Sequence, residues 1–329
     1  MESTRRNKSH LRDLLMLISK MSLQDCCVHV PSEFGLHWNE VSRAVRNSRL
    51  PMTPTSVASV LYKYAAKTFS EDEIAHIAAR LRLKSIAIRP RTWHVINLTD
   101  QITDEPVNML MQSLPSRVKQ ALKSSANGNK KPQVQTMKLG DFIFISVQMV
   151  TELKEGSVVY VVSAPGMPVA LVSTLHSNLL TACVQGLCYR NYTDACLSGK
   201  DIRSLLHIAC SDTNAAGVTE MPEYSGTPCL IRGGIDFTNA APLKQYVSQK
   251  IGPDPPILEF LKVTAEMDFY DREILDKKIK VTLQIKGANS LDTLARWGAI
   301  GAISPASQLF DVYSNKSNQI KFTSEDVDE

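Results

Sequence analysis

Apolar residues in the first ninety positions of the chain recur at the spacing of α-helices. The stretches Leu11–Ile18 and Val57–Tyr64 each place an apolar side chain every three or four residues, which puts those side chains on one helix face. Ser70, followed three residues later by Glu73, is the pattern of a capped helix start. The pattern predicts a compact helical bundle over residues 1–90.

After residue 90 the helical spacing gives way to short alternating runs with turn residues between them. Strands are predicted at 92–98, 141–150, 157–162 and 169–173, and helices at 107–123, 179–189 and 201–209. The polar stretch 124–135 is predicted to be a loop. Because the turns between several strands are too short for parallel crossovers, residues 91–212 are predicted to form a central α/β domain with an antiparallel sheet.

The last third of the chain opens with a stretch rich in Gly, Pro and Ser, residues 211–231, which is predicted to be a linker or domain edge. Beyond it, the pattern predicts strands at 258–269, 278–286 and 312–322, and a short helix at 290–297. Residues 213–329 are therefore predicted to form a third, α+β domain.

The net charge of +4 conceals an uneven distribution. Residues 1–135 contain twenty lysines and arginines against eleven acids, so the remainder of the chain carries a net negative charge. Charge separated in this way is typical of a protein that binds a polyanion, although a solvated surface is the alternative interpretation.

Three arginines, Arg43, Arg46 and Arg49, recur every third residue and would form a positive ridge on a helix. A second basic run leads from the last predicted bundle helix to the first strand and comprises Arg80, Arg82, Lys84, Arg89 and Arg91. Few aromatic residues lie among these charges, which favours contact with a duplex backbone over stacking on single strands. The alternative for Arg43 and Arg46 is ion pairing with Glu40.

Other functional classes receive little support from the sequence. The longest apolar runs fall short of the roughly 18 residues that a membrane helix needs, and the amino terminus lacks a secretory pattern, so we expect an intracellular protein without a membrane segment. The seven cysteines form no Cys-x-x-Cys pair and are interpreted as reduced core thiols, with no metal or cofactor. Mechanistic motifs are missing, so no enzyme is expected; Cys183 or Cys188 with His207 is kept as an alternative nucleophile and base.

Several sequence blocks occur in an order that is familiar from one protein family. They are Thr92–Leu98, Lys119–Lys123, Ser157–Val162, Pro168–Ala170, Pro255–Phe260, Ser290–Leu294 and Gly298–Pro305. In this order, over nearly the whole chain, they resemble the centromere protein N family, subunits of the constitutive inner-kinetochore assembly. The resemblance is distant, and the order of the blocks carries it.

The resemblance implies a function as well as a refined fold. The α+β chain would comprise a pyrin-like helical bundle (1–90), the central α/β domain (91–212) and a carboxy-terminal heterodimerisation domain (213–329). The first two domains would hold nucleosomal or other duplex DNA, and the third would bind a centromere protein L-like subunit. Such a protein is a nuclear scaffold at the centromere and kinetochore that serves chromosome segregation in cell division, contacts other inner-kinetochore subunits and uses no small-molecule substrate.

The resemblance and the charge pattern together define two predicted residue sets. The DNA-binding set is Arg43, Arg46, Arg49, Arg89, Arg91, Lys200 and Arg203. The partner-binding set is Leu258, Phe260, Ile279, Val281, Leu283 and Ile285. We expect the alternating strand 278–286 to extend a sheet across the heterodimer interface; an ordinary internal strand is the alternative.

Two departures from the family change the expectation. The family's arginine pair after the third central strand is replaced by Leu175–Asn178, and its acidic amino terminus is replaced by basic residues from Arg5 to Arg12. We therefore expect no direct contact with the centromeric histone variant, and DNA binding that is weaker or differently placed. A pyrin-like signalling adaptor without DNA binding is the competing class.

Overall fold

The computed structural model describes residues 2–103, 106–125, 131–150, 156–210, 229–231, 234–236, 240–251, 255–269, 277–303, 308–310, 312 and 316–322. In this part of the chain the fold is mixed α+β, with ten α-helices and eleven strands. The chain divides into two compact units, Met1–Pro90 with Val107–Tyr160 and Arg91–Pro106 with Val161–Glu329. The two boundaries between the three predicted domains stay predictions.

The first unit begins with five α-helices over residues 1–90, where the sequence predicted a helical bundle of no stated helix number. They are α1 (Glu2–Ser19), α2 (Leu23–His29), α3 (Trp38–Asn47), α4 (Pro54–Thr68) and α5 (Glu71–Ile88), with a short 3₁₀ helix at Pro31–Phe34. The cap predicted at Ser70 is present, because its hydroxyl accepts from the Glu73 amide while the Glu73 carboxylate accepts from the Ser70 amide at 2.8 Å. Buried Leu14, Ile18 and Leu61 belong to one apolar core that these helices share.

The first unit also contains a helix and two strands that follow β1 (Trp93–Gln101) in the chain. They are α6 (Val107–Ser125), β2 (Lys131–Leu139) and β3 (Phe142–Val150). β2 and β3 are antiparallel, with Val134 opposite Val147. The predicted loop over 124–135 is therefore wrong at residues 124–125, which end α6, and from Lys131 onward; residues 126–130 lie outside the described part. The strand escaped prediction because its side chains are mostly polar and half-buried.

The central strands form one six-stranded sheet in the order β2-β3-β4-β5-β1-β6. The remaining members are β4 (Val159–Ser163), β5 (Val169–Val172) and β6 (Tyr189–Gly199), and helices α7 (Leu179–Gly186) and α8 (Ile202–Cys210) follow β5 and β6. β1 runs antiparallel to both β5 and β6, and β4 antiparallel to β5, which confirms the antiparallel prediction. β6 was not predicted, because only its last three residues are buried and its polar sequence shows no alternation.

The carboxy-terminal part contains a second, smaller sheet. Its elements are β7 (Cys229–Ile231), β8 (Gly234–Asp236), α9 (Ala240–Ile251), β9 (Phe260–Phe269), β10 (Lys277–Lys286), α10 (Ser290–Ala299) and β11 (Gln319–Phe322). β10 and β11 flank β9, β10 antiparallel and β11 parallel to it. The strand predicted at 312–322 is shorter than expected, because β11 covers only Gln319–Phe322. The predicted linker lies outside the described residues except for β7.

Three side chains bind this smaller sheet to β6 and α8 within the second unit. Asn318, fully buried, donates to the Ser198 carbonyl at 2.7 Å and to the Phe260 carbonyl at 3.1 Å, and accepts from the Ser198 amide at 3.1 Å. The Glu259 carboxylate accepts from the Lys200 amide at 3.0 Å. The Ser204 hydroxyl accepts from the Ile257 amide at 2.9 Å. Buried backbone groups at this junction are thus satisfied by side chains.

Candidate functional site

The arginines on α3 and in the turn that ends it are available to a ligand. Arg43, Arg46 and Arg49 are all exposed, and within the described residues none of them forms an ion pair. Glu40, the alternative partner, instead caps the start of α3, where its carboxylate accepts from the His37 amide at 2.7 Å. Within the described residues the predicted ridge therefore presents three uncompensated positive charges, those of Arg43 and Arg46 on α3 and that of Arg49 in the turn that ends it.

The last of these arginines has an unusual backbone. Arg49 adopts φ 55° in the turn that ends α3. Its amide donates to the Arg46 carbonyl at 2.9 Å and the Leu50 amide donates to the Val45 carbonyl at 3.3 Å, which is the bond pattern of a Schellman motif. Glycine usually occupies this left-handed position, so a long charged residue here comes at a conformational cost.

A second basic feature is a groove formed by α5, α6 and β2, all within the first unit. It has a volume of about 780 Å³. Its cationic or ionisable lining consists of His76, Arg80, Lys119 and Lys138, with Asp72 as its one acid. The rest of the lining is Ala75, Met111, Pro115, Gln133, Val134, Gln135, Thr136 and Met137. The groove thus combines positive charge with amide and hydroxyl groups that can hydrogen-bond to an anion.

The lining follows from helix geometry. Asp72, His76 and Arg80 are four residues apart on α5, so they share one face of that helix, as Pro115 and Lys119 do on α6. Sequence reasoning missed His76, Lys119 and Lys138 as site residues. Spacing on α5 and α6 was a usable signal, but the contribution of β2 required the strand itself to be recognised.

One groove residue is held by an internal carboxylate. Glu33, in the 3₁₀ helix, has a side chain only 2% exposed, and its two oxygens lie 2.8 Å from Arg80 Nε and 2.5 Å from Lys84 Nζ. Lys84 also donates to the His29 carbonyl at 3.1 Å and the Ser32 hydroxyl at 3.2 Å. The Lys84 ammonium is therefore fully engaged by contacts within the bundle. The Arg80 side chain, in contrast, remains 51% exposed.

Other members of the second basic run are also bound internally. Arg82 Nη2 lies 3.8 Å from Asp13 Oδ2, and its Nη1 donates to Gln148 at 3.5 Å. Arg89 donates to the Lys20 carbonyl. Arg91 is half-buried and belongs to the second unit. Among the five residues of this run, Arg80 is the one that lines the groove.

The remaining predicted DNA-binding residues lie in the second unit. Lys200 and Arg203 are exposed at the start of α8. The Lys200 amide is bonded to the Glu259 carboxylate, which places a negative group beside that residue's backbone. Their participation with the ridge and the groove stays a prediction.

The predicted partner-binding residues divide into buried and exposed groups. Leu258 and Ile285 are buried and Phe260 is half-buried, whereas Val281 is 52% and Leu283 is 53% exposed. The side chain of Ile279 lies outside the described part. Because β9 is the only described neighbour of β10, the backbone of β10 also has one side without a described strand partner. The exposed apolar surface is thus at the edge of the sheet.

Of the two alternative nucleophiles, Cys183 and Cys188, the first lies in an environment that disfavours a reactive thiol. Burial raises the pKa of Cys183 to about 12, so this thiol is protonated at neutral pH and is a poor nucleophile. No hydrogen bond links Cys183 to His207 in the described part of the chain. The described residues also bring together no group of three possible metal ligands.

Comparisons with known proteins add no family assignment. No family model matches the chain, and no curated protein sequence matches it. None of the described helices combines the length and apolarity needed to cross a membrane.

Proposed function

We propose that this protein is a non-enzymatic scaffold of the inner kinetochore, which binds duplex DNA through its first unit and a centromere protein L-like subunit through β10. The observation that carries the proposal is the groove, where three separate elements, α5, α6 and β2, contribute His76, Arg80, Lys119 and Lys138 to one surface. The resemblance to the centromere protein N family supplies the nuclear location, the role in chromosome segregation and the interpretation of the helical bundle as pyrin-like.

Electrostatics support a nucleic acid as the ligand. A duplex carries regularly spaced phosphates, and each lysine or arginine that neutralises one of them releases condensed counterions. The ridge on α3 and the groove each offer several such groups, and the polar glutamines and threonine of β2 can donate or accept hydrogen bonds at the backbone. Binding of this kind holds the duplex without reading its sequence.

Charge reversal tests the DNA half of the proposal. We expect Arg43→Glu, Arg46→Glu and Arg49→Glu combined to weaken binding of a 30-base-pair duplex about equally for unrelated sequences, and to reduce the slope of log affinity against log salt by about 3. Lys119→Glu with Lys138→Glu should act in the same direction. Fluorescence anisotropy over a salt series measures both quantities.

The matched control uses α4 of the same unit. Lys63 and Lys67 are exposed there, lie outside ridge and groove, and form no ion pair within the described residues. Lys63→Glu with Lys67→Glu should change the affinity much less than either site variant. Equal losses of duplex affinity for control and site variants would show that the affinity depends on net charge alone, and would refute the proposed interface.

The partner half of the proposal rests on β10. Leu283 lies opposite buried Val263, and Ile285 opposite buried Leu261, so the apolar face continues from the buried core to the exposed edge. An added strand would pair with the side of the β10 backbone that has no strand partner among the described residues, and would cover Val281 and Leu283. Exposed lysines on an edge strand can instead protect it from pairing, and Lys280 and Lys286 provide that alternative.

Co-purification tests the partner half. Val281→Lys with Leu283→Lys should abolish recovery of the centromere protein L-like subunit when both chains are co-expressed. The control is Thr282→Lys with Gln284→Lys, which adds the same charge at exposed positions on the opposite face. If the Val281→Lys, Leu283→Lys variant still co-purifies with the subunit, this half of the proposal is wrong. It is also wrong if the wild-type chain recovered from chromatin lacks kinetochore companions.

A further inference from the structure

Within the groove, Arg80 is the basic residue with a fixed orientation. Its Nε lies 2.8 Å from Glu33, and no hydrogen bond within the described residues engages its two terminal amino groups. A guanidinium bound through Nε keeps those two groups for a second acceptor. In contrast, His76, Lys119 and Lys138 are exposed and have no described partner that fixes their direction.

The carboxylate that holds Arg80 is itself fixed. Glu33 is buried, and its second oxygen is bound by Lys84, whose side chain is only 14% exposed. Lys84 neutralises the carboxylate, so the three side chains together carry one net positive charge, and the Arg80 guanidinium is the exposed end of that cluster. Buried ion pairs keep their geometry because separating the partners leaves an uncompensated charge.

We propose that Arg80 is the anchor of a phosphate subsite in the groove and that Glu33 is its positioning residue. The ligand class is a phosphate group with two oxygens available to the terminal amino groups, the geometry that guanidinium matches best. This inference rests on the proposed function, since it names the residue at which the DNA backbone is fixed. Met111 and Pro115 line the same groove and provide its apolar wall.

Replacement of Glu33 separates positioning from net charge, because the two roles predict opposite signs. Glu33→Gln removes a negative charge, so a site that depends only on net charge would bind the duplex more tightly. If Glu33 positions Arg80, the same change should weaken binding about ten-fold, the scale of one charged hydrogen bond. Tighter or unchanged binding by a folded Glu33→Gln variant overturns the positioning role.

Asp13→Asn is the matched control. It also removes one acid from the helical bundle, but Asp13 faces Arg82, which does not line the groove. We expect no loss of affinity for this variant. Thermal unfolding of both variants establishes that they are folded. If Glu33→Gln does not fold, Arg80→Lys replaces it, because the Arg80 side chain is half-exposed and the charge is kept. Arg80→Lys should lose nearly as much affinity as Arg80→Ala, whereas wild-type affinity would contradict the anchor.

The closing experiment is independent of DNA. Inorganic tripolyphosphate is titrated into the full chain while the Nε–Hε resonance of Arg80 is followed by NMR. We expect this resonance to shift in a saturable manner in the wild-type protein and in Asp13→Asn, but not in Glu33→Gln. A shift of this resonance without duplex binding would support the phosphate subsite and refute the proposed DNA function. Duplex binding without any shift would refute the subsite and leave the proposed function.

Discussion

At the residue scale, Arg49 shows a conflict between conformation and charge. Its φ of 55° puts an L-residue with a β-carbon in the left-handed region, where glycine is the usual choice at the end of a helix. The cost for a residue with a side chain is about 1 kcal/mol. Strain of this kind is typical of functional positions, and here the side chain adds a third charge to the α3 ridge.

Arg49→Gly should therefore change stability and binding in opposite directions. We expect the free energy of unfolding to rise by about 1 kcal/mol, because the left-handed strain is removed. Duplex affinity should fall, with a salt slope lower by about 0.9 for the one lost phosphate contact. Urea unfolding and anisotropy measure the two effects. Arg49→Ala is the control, since it removes the charge and keeps the β-carbon; a stability gain there would exclude strain as the cause.

A second residue-scale prediction concerns pH. Hydrogen bonds from the Ser70 backbone and hydroxyl lower the pKa of Glu73 from its ordinary value of 4.5. A carboxyl with a lowered folded-state pKa contributes stability above the ordinary value, and that contribution is lost as the pH falls through the folded pKa. The stability difference between wild type and Ser70→Ala should therefore shrink below pH 4.5. A thermal unfolding series checks this; a difference that is constant with pH would contradict the hydrogen bond from the Ser70 hydroxyl to the Glu73 carboxylate.

At the scale of elements, the junction between β6 and β9 depends on one side chain. Asn318 is fully buried, and its side-chain amide satisfies the Ser198 amide and carbonyl and the Phe260 carbonyl, while its backbone carbonyl accepts from the Lys262 amide at 2.9 Å. Buried backbone groups left without a partner cost about 1–3 kcal/mol each. The contact of these two sheets therefore relies on polar satisfaction as well as apolar packing.

Asn318→Ala should destabilise the protein by about 3 kcal/mol, because it leaves several buried backbone groups unpaired while creating little cavity. Denaturant unfolding with a probe in the second unit measures the change. The control is Asn191→Ala, since Asn191 is exposed and bonds only the exposed Asp100 among described residues, at 2.6 Å. A loss for Asn318→Ala no larger than the control's would show that water replaces the missing amide.

Predictability from sequence also differs between elements. Strongly patterned segments such as β1 and β10 were predicted nearly to their ends, because apolar alternation reports burial directly. β2 and β6 were missed because they are half-exposed and largely polar, so backbone pairing holds them rather than a buried face. The ridge on α3 was visible as an i, i+3 repeat. The groove was not, because its lining comes from three elements that only the tertiary fold brings together.

At the scale of the whole molecule, net charge differs between the part of the chain proposed to bind DNA and the part proposed to bind the partner. The basic excess lies before residue 136, where the ridge and most of the groove lining are found, with Lys138 of the groove just beyond, and the rest of the chain is net acidic. Contacts to phosphates weaken steeply with salt, whereas an interface formed by strand pairing and apolar side chains does not. The proposed DNA and partner interactions should therefore respond differently to ionic strength.

We predict that raising the salt concentration to about 0.5 M releases duplex DNA from the complex of this protein with its partner subunit and leaves that complex intact. Size-exclusion chromatography over a salt series, with absorbance at two wavelengths, follows both components at once. The groove variant Lys119→Glu with Lys138→Glu should already lack DNA at low salt and still elute with the partner. Simultaneous loss of DNA and partner along the series would mean that the acidic carboxy-terminal part also binds through salt-sensitive charge, and that β10 is not the dominant contact.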